Sequence, residues 1–371
     1  MSHTTPLVVV GNPGNRRVGA FRTAAHAAGL RVRVLPWRKL AAGEDVALPG
    51  GATVRIDSPG EDSEVDRLLR GAGRPLDHGE ISGGAAWYAG LRAALDRLTD
   101  AARRAGATLL NDPADIAVLF DKRAGHRRLA AAGVAQPAIL DTAPGDWAQL
   151  RTALSDVGWA RVFVKPVHGS SASGVLALHA HGRRVQAVTS VELADDGRLF
   201  NSLRVRTYRT EREVASIVDR LAPDGLLVQR WFPKAGLHGR VVDLRVLVIA
   251  GVPGHLVVRS SDGPLTNLHL GNRRGDPAAV RAAFGPRRWA AALADCVRTA
   301  RCFTGSLHVG VDLMIGSDWR RHAVAEVNAF GDLLPTVCDA AGRDSYAAQL
   351  HAIRTGRFAA WRTTAAMGRS A

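Results

Sequence analysis

Three side chains near the carboxyl-terminal end of the sequence, Asp312, Glu326 and Asn328, have the types and spacing to share one metal ion. They lie in GVDLMIGSDWRRHAVAEVNAFGDLLP, residues 310–335. There an apolar run carrying Asp312 meets the turn-forming Gly316, Ser317 and Asp318, and a second apolar run brings in Glu326 and Asn328. That pattern predicts a β-hairpin. Side chains alternate along a strand, so Glu326 and Asn328 share a face, and if Asp312 stands opposite Glu326 the loop centres near Trp319. Two carboxylates and an amide carbonyl, without His or Cys, suit Mg²⁺, or Mn²⁺ in its place. Such an ion keeps several waters and is held jointly by protein carboxylates and substrate phosphates. The plain alternative is a polar turn residue beside a solvated strand face.

Point charges that could meet such phosphates are scarce. The chain has four lysines, Lys39, Lys122, Lys165 and Lys234, within a total of 49 Lys and Arg. A Lys retained against that background suggests a site that wants a compact, flexible charge rather than a planar fork. Lys165 ends the strand pattern RVFVK and precedes Pro166 and a loop of small residues that includes Gly169, Ser170, Ser171 and Gly174. Backbone N–H groups bared by small side chains can close over polyphosphate as a nest. Lys122 falls in the first turn of a predicted helix over residues 121–132, stopped by Gly133 with Pro137 beyond it, and helix starts favour anions. Read singly, these are a surface Lys and a flexible hairpin loop.

Taken in chain order, Asp121-Lys122, VKP, the small-residue loop, DLR and D…EVNxxG resemble the ATP-grasp superfamily. Within it they are similar to the glutathione-synthetase and ribosomal-protein glutamate-ligase branch, over roughly residues 107–335. The resemblance implies an α/β protein of α+β subdomains with the ATP-grasp fold. Residues 1–111 would form a pre-ATP-grasp parallel α/β domain, 112–225 the central lid subdomain, and 226–371 the metal- and nucleotide-binding subdomain. It further implies ATP between the subdomains, with Lys122 and Lys165 on its phosphates, Asp243 on the nucleotide, Asn267 on the phosphate side, and Mg²⁺ on Asp312, Glu326 and Asn328. Arg245 and Arg259 would line the acyl site and the transferring phosphoryl group.

The implied activity is carboxylate-amine ligation through an acyl phosphate, on small carboxylates and amines, amino acids or a peptide. That chemistry rests on positioning and charge neutralisation, so the lack of a Ser-His or Cys-His pair does not count against it. Two departures stand out. The hinge-like strand LLVQRWFP has Gln229, Arg230, Trp231 and Phe232 where the family commonly has Gln-Glu-aromatic-apolar, which leaves backbone contacts to adenine; and Leu265 stands where some relatives carry Arg.

The elements that must position these residues follow from pattern. PLVVV, a turn, an alanine-rich helix and RVRVLPW predict a small parallel sheet whose first loop lies at the strand's carboxyl end, where open α/β sheets bind ligands. That loop is no G-x-G-x-x-G, which excludes dinucleotide binding, but Asn12, Asn15, Arg16 and Arg17, with the loop at 56–62, are candidates to hold an anionic acceptor. Helices are predicted near 62–70, 85–105, 210–221, 286–303 and 344–354, with a disordered polar tail beyond.

The formal charge of +15 raises a nucleic-acid reading. The charge is Arg spread along the whole chain with only three Tyr beside it, so that partner is not expected. Three cysteines lack metal spacing, no run reaches the roughly 18 apolar residues of a membrane span, and a cytoplasmic protein is expected. A nucleotide-binding relic is the competing reading, but a relic would be expected to shed its ligands first, and all three are present.

Overall fold

The computed structural model describes residues 5–169, 172–330, 334 and 336–367. It opens with β1 (Leu7–Gly11), α1 (Arg16–Ala27), β2 (Val32–Pro36), α2 (Trp37–Ala41), β3 (Thr53–Ile56), α3 (Ser63–Arg70), α4 (Gly84–Ala105) and β4 (Thr108–Leu109). These strands form a parallel sheet in the order β2-β1-β3-β4. β1 is buried along its whole length, as a central parallel strand covered on both faces must be.

Two short helices follow, α5 (Pro113–Leu119) and α6 (Lys122–Ala131). Asp112 and Asp121 cap them, accepting from the amides of Ala114 and Ala124, which is how Lys122 comes to stand at the start of a helix. The central body then runs through α7 (Trp147–Asp156), β5 (Arg161–Pro166), β6 (Leu176–His181), β7 (Arg184–Leu193), β8 (Leu199–Tyr208), α8 (Glu211–Leu221) and β9 (Leu226–Arg230). Its antiparallel sheet has the order β8-β7-β6-β5-β9 and covers an apolar layer that includes Leu150, Val162, Leu178 and Ile217.

The last body comprises β10 (Gly236–Leu237), β11 (Arg240–Ile249), β12 (Val252–Ser261), β13 (Arg273–Gly275), α9 (Pro277–Phe284), α10 (Pro286–Arg301), β14 (His308–Ile315), β15 (His322–Asn328), α11 (Ser345–Arg354) and α12 (Arg357–Met367). Its sheet runs β13-β12-β11-β14-β15, with β10 on β11. One face, with Leu244, Val246, Val258, Val311 and Leu313, packs with Cys296, Ala300 and Phe303. The opposite face is polar where it carries Asp243, Arg245, Arg259 and Asp312, and apolar at its other end, where Leu247 and Ile249 pack with Tyr346 and Leu350.

Packing crosses both of the expected boundaries. β9 pairs with β5, so a division at 225 would remove the last strand of the central sheet. Ile116, Leu119 and Leu129 of α5 and α6 join the core of the third body, while Tyr346 and Leu350 of α11 pack with Val9 and Phe21 of the first. The disordered tail is also corrected, because α12 continues to Met367: Phe358 is buried and the Trp361 ring covers Gly251, where a Cβ would come within 2.5 Å of the indole. Burying a ring such as Phe358 contributes about 2 kcal/mol, enough to hold a short helix against the body. Residues 368–371 lie outside the described residues.

The hairpin holds the register that the sequence suggests and adds one feature. Asp312 pairs with Glu326, Gly310 with Asn328, and Trp319 takes a left-handed turn conformation at φ 53°. Between Asp312 and Leu313 the register slips, so that Leu313 faces Val324 and Ala325 is an extra residue. Val324 and Val327 are both buried in the apolar core although they are three apart, a spacing strict alternation cannot put on one face. The bulge at Ala325 reconciles them and turns Glu326 and Asn328 to the polar side. Gly331, expected to end this strand, lies outside the described residues.

Candidate active site

Strand register writes the site onto the polar face. β11 sets Asp243 opposite Arg259 of β12 and Arg245 opposite Asp312 of β14, and Asp312 stands opposite Glu326 of β15. Residues two apart share a face, so these side chains converge. Arg245 grips Asp312 through Nε at 2.5 Å and Nη2 at 3.2 Å, and Arg259 Nη1 lies 3.2 Å from the same carboxylate. Arg259 Nε also donates to Asp243 Oδ1 at 2.7 Å. The other oxygen, Oδ2, accepts from Lys234 Nζ at 3.1 Å and from the Thr266 hydroxyl. Burial alone would raise the Asp243 pKa, but the charges of Arg259 and Lys234 outweigh it and hold the carboxyl well below its usual range.

The two lysines favoured by the sequence reach the same place from the facing side. Lys122 Nζ lies 2.9 Å from Glu326 Oε1 and also donates to the carbonyl of Gly169. Burial would push Glu326 up; the charges of Lys122 and Lys165 dominate and lower it. Lys165 donates to Gln229 Oε1 at 2.8 Å. Burial lowers its pKa to about 8, with Glu326 opposing and Lys122 adding to the shift. After Lys165 the chain passes Gly174 at φ 72°, where a Cβ would come within 2.5 Å of Pro166, so only glycine fits. Ser170 and Ser171, candidates for the phosphate nest, lie outside the described residues.

The donor set fits a hard cation. Asn328 donates through Nδ2 to the Gly310 carbonyl at 3.3 Å, which leaves Oδ1, taken by no described residue, as the ligand atom beside Asp312 and Glu326. Among the described residues no three His, Cys, Asp or Glu side chains gather as a metal centre, so the candidate rests on two carboxylates and this amide. Both carboxylates are at present neutralised by Lys122, Arg245 and Arg259.

The hinge strand divides its side chains between the cleft and the body. Gln229 faces the cleft as the partner of Lys165, whereas Trp231 stacks on Phe163 with centroids 5.0 Å apart, and the Arg230 guanidinium lies over Trp159. The amide of Arg230 donates to Ala138 O and that of Trp231 to Arg161 O. Of the backbone donors expected to meet adenine, only that of Phe232 is taken by no described residue. The side chains of Arg230, Trp231 and Phe232 form no part of the cleft wall.

The cleft itself has a volume of about 800 Å³ and touches all three bodies. It is lined by Lys122, Lys165, Gly169, Asp243, Asn267 and the metal-ligand candidates, and it extends to Arg16, Arg17, Gly60 and Glu61 of the first body. Asn12 and Asn15 serve structure instead. Asn12 donates to the carbonyls of Pro59 and Gly60, and Asn15 caps α1 while donating to Glu61.

Lys234 and Thr266 are site residues that sequence reasoning missed. Lys234 has one signal in the sequence, its rarity, but no small-residue loop beside it. Backbone bonds from Ala235 to Ile315 and from Val242 to Ala235 bring its segment over the sheet, whereas Lys39 stays exposed beside Glu44.

No family model and no curated protein matches the sequence. Among solved structures the chain is similar to D-cycloserine synthetase DcsG, at a TM-score of 0.58 and 18% identity over 94% of this chain and 99% of that one. It is similar to the D-alanine–D-alanine ligase of Bacillus anthracis complexed with ATP, at 0.52 and 12% over 97% and 99%. It is also similar to the ATP-grasp ligase PsnB complexed with a phosphomimetic variant of its minimal precursor, Mg and ADP, at 0.50 and 18% over 88% and 91%. At these identities the likeness is one of fold: the chain has the ATP-grasp fold behind an amino-terminal parallel α/β sheet.

Proposed function

We propose that this chain is an ATP- and Mg²⁺-dependent ligase that joins a carboxylate to an amine through an acyl phosphate. One observation carries the reading: Lys122 and Lys165 meet the Glu326 edge of an all-oxygen ligand set across a single cleft. That is the arrangement needed to hold polyphosphate against a hard cation. The ligases named among the structural neighbours support it as relatives in fold. The EVN motif and Asn267 favour the finer glutathione-synthetase-like branch, and a need for ATP is in keeping with a cytoplasmic activity.

In the chemistry proposed, a carboxylate oxygen of the substrate attacks the γ-phosphorus and ADP leaves. The amine nitrogen then attacks the acyl carbon, phosphate leaves, and the nitrogen gives up a proton. Mg²⁺ on Asp312, Glu326 and Asn328 would supply charge neutralisation at the phosphates. Lys122 and Lys165 bind the phosphates as they exchange Glu326 and Gln229 for them. Arg245 and Arg259, fixed by Asp312 and Asp243, present guanidinium donors where a carboxylate must be oriented and its developing charge met. Arg16 and Arg17 stand at the far end of the cleft, placed to orient the acceptor.

The test is ATP-to-ADP turnover with a panel of amino acids and short peptides offered singly and in pairs. Turnover that requires both a carboxylate and an amine supports the proposal. Nucleotide binding without turnover for any pair favours the relic.

A further inference from the structure

A strap from the first body is fastened to the central one. Residues 77–81, between α3 and α4, lie along β8 at the outer edge of the central sheet. Glu80 pairs antiparallel with Phe200, the amide of Ile81 donates to Leu199 O at 2.8 Å, and that of Asn201 donates to Gly79 O at 2.7 Å. The Ile81 side chain packs against the apolar layer of the central body. Arg198 pairs with Asp77 and, at 3.7 Å, with Glu80, but Arg198 is largely exposed and such ion pairs add little. The two backbone bonds and Ile81 therefore carry the join. Gly79 is fitted to it: its φ is 81°, and a Cβ there would stand 3.1 Å from Asn201 O.

The strap ends on a residue that reaches the loop after Lys165. The Ser190 hydroxyl shares its proton between Asn201 Oδ1 at 3.0 Å and Ala172 O at 2.9 Å. Ser190 is fully buried, and the strand pair is irregular beside it: Thr189 faces Arg206 and Val191 faces Asn201, so residues 202–205 of β8 have one residue opposite them. A bulge bends its strands and re-aims the side chains next to it, which brings Ser190 onto the loop. Ala172 is left-handed at φ 56°, a conformation that a non-glycine residue keeps only where its neighbours fix it. The start of the loop is held by Lys122, which donates to Gly169 O. Lys122 is the group that phosphate would draw away, whereas Ser190 keeps its hold on Ala172 when nucleotide is bound.

Resting on the nucleotide-binding half of the ligase reading, we propose that the first body positions the phosphate-side loop through one chain of contacts, from the strap at 79–81 through Asn201 and Ser190 to Ala172. Ser190 and Asn201 are positioning residues, since neither is among the described residues that line the cleft. Such a chain expresses itself as coupling, and coupling is reciprocal. If the fastened strap raises nucleotide affinity by some factor, bound nucleotide must hold the strap closed by the same factor.

The experiment combines two measurements on the full chain. Calorimetry gives the Mg·AMPPNP affinity of wild type, Gly79→Val, Ser190→Ala and the double variant, and hydrogen exchange is followed at the amides of Ile81 and Asn201 with and without saturating Mg·AMPPNP. Gly79→Val drives a branched side chain against Asn201 O near the surface, and Ser190→Ala removes a single oxygen. Each should weaken Mg·AMPPNP binding about fivefold, the scale of one intramolecular hydrogen bond. The double variant should bind no worse than the weaker single one, because both changes cut the same chain. In wild type, Mg·AMPPNP should slow exchange at both amides by the factor that Gly79→Val costs in affinity. Ser190→Ala should keep the exchange rates of ligand-free wild type and lose the further slowing by nucleotide. Wild-type affinity in both single variants, additive losses in the double, or exchange at the two amides indifferent to nucleotide overturns the inference and leaves the ligase reading standing. Failure of wild type to bind Mg·AMPPNP is a separate result: it overturns the ligase reading, and this inference with it.

Discussion

Removing Lys122 should have opposite effects on the two ligands of the site. In the ligand-free protein its ammonium neutralises Glu326 at 2.9 Å, so a metal ion arriving alone must compete with it. With nucleotide present, Lys122 transfers to phosphate and Glu326 is released to the metal. Two unit charges at this separation attract by about 6 kcal/mol at an effective dielectric constant near 20. Glu326 is 28% exposed, so solvent and salt reduce the net value to roughly 1.4 kcal/mol, or tenfold in affinity. Lys122→Met keeps an unbranched stem at the start of α6 and deletes the charge. Mn²⁺ binding without nucleotide, followed by the paramagnetic resonance of the free ion, should tighten about tenfold. Mg·AMPPNP binding by calorimetry should weaken by a similar factor or more, because a phosphate partner is lost. Metal affinity that falls or stays level would refute the competition. Unchanged nucleotide affinity would remove Lys122 from the phosphate site.

Further expectations are equally direct. Phosphate binding needs Lys165 protonated, and burial sets its pKa at about 8, so Mg·AMPPNP affinity should be level below pH 7 and fall by up to tenfold per unit above about 8. Between about pH 8 and 10.5 the unfolded chain binds more protons here than the native one, so this group's contribution to stability rises with pH in that window. Lys165→Met should flatten both dependences, and calorimetry and thermal melts across pH will show whether it does. Asp115, raised to about 6 by burial and by Asp112, favours its protonated form in the native state, so its contribution to stability is present below pH 3.8 and lost as pH rises through about 6. Asp115→Asn should therefore melt like wild type in acid and higher than wild type above pH 6; a constant offset would show that the charge is irrelevant. Lys234→Ala strips a buried cation from Asp243 and should weaken Mg·AMPPNP binding, whereas Lys39→Ala, on the exposed surface, should not. Equal calorimetric affinities for these two variants would show that Lys234 is a bystander.

The parts of the site that were legible are those set by short-range periodicity. A hairpin obeys simple arithmetic, so the pairing of Asp312 with Glu326 and the turn at Trp319 could be read directly. The bulge had a signal that went unused: Val324 and Val327 cannot both be core residues in an unbroken strand. The helix α7 also had its signs, with a capping Asp146 and Trp147, Leu150 and Leu154 at helical spacing. Other features depend on contacts that no local pattern encodes. Lys234 reaches Asp243 only because its segment folds over β11. Trp231 leaves the cleft only because β9 pairs with β5 and places Phe163 beneath it. The seating of α11 on the first sheet rests on contacts such as Arg55 Nε to Gln349 Oε1 at 3.1 Å, which join the two ends of the chain.

Oxygen transfer from the substrate tests the central claim most directly. An acyl phosphate forms only if a carboxylate oxygen attacks the γ-phosphorus, and when the amine displaces phosphate that oxygen leaves with it. With an ¹⁸O-labelled carboxylate and an amine that support turnover, mass spectrometry of the released phosphate should find one label per ADP formed. Glu326→Gln should lower that rate by about 100-fold, the scale on which loss of a metal-ligand charge acts in phosphoryl transfer. Unlabelled phosphate, or a wild-type rate in the variant, would contradict the account.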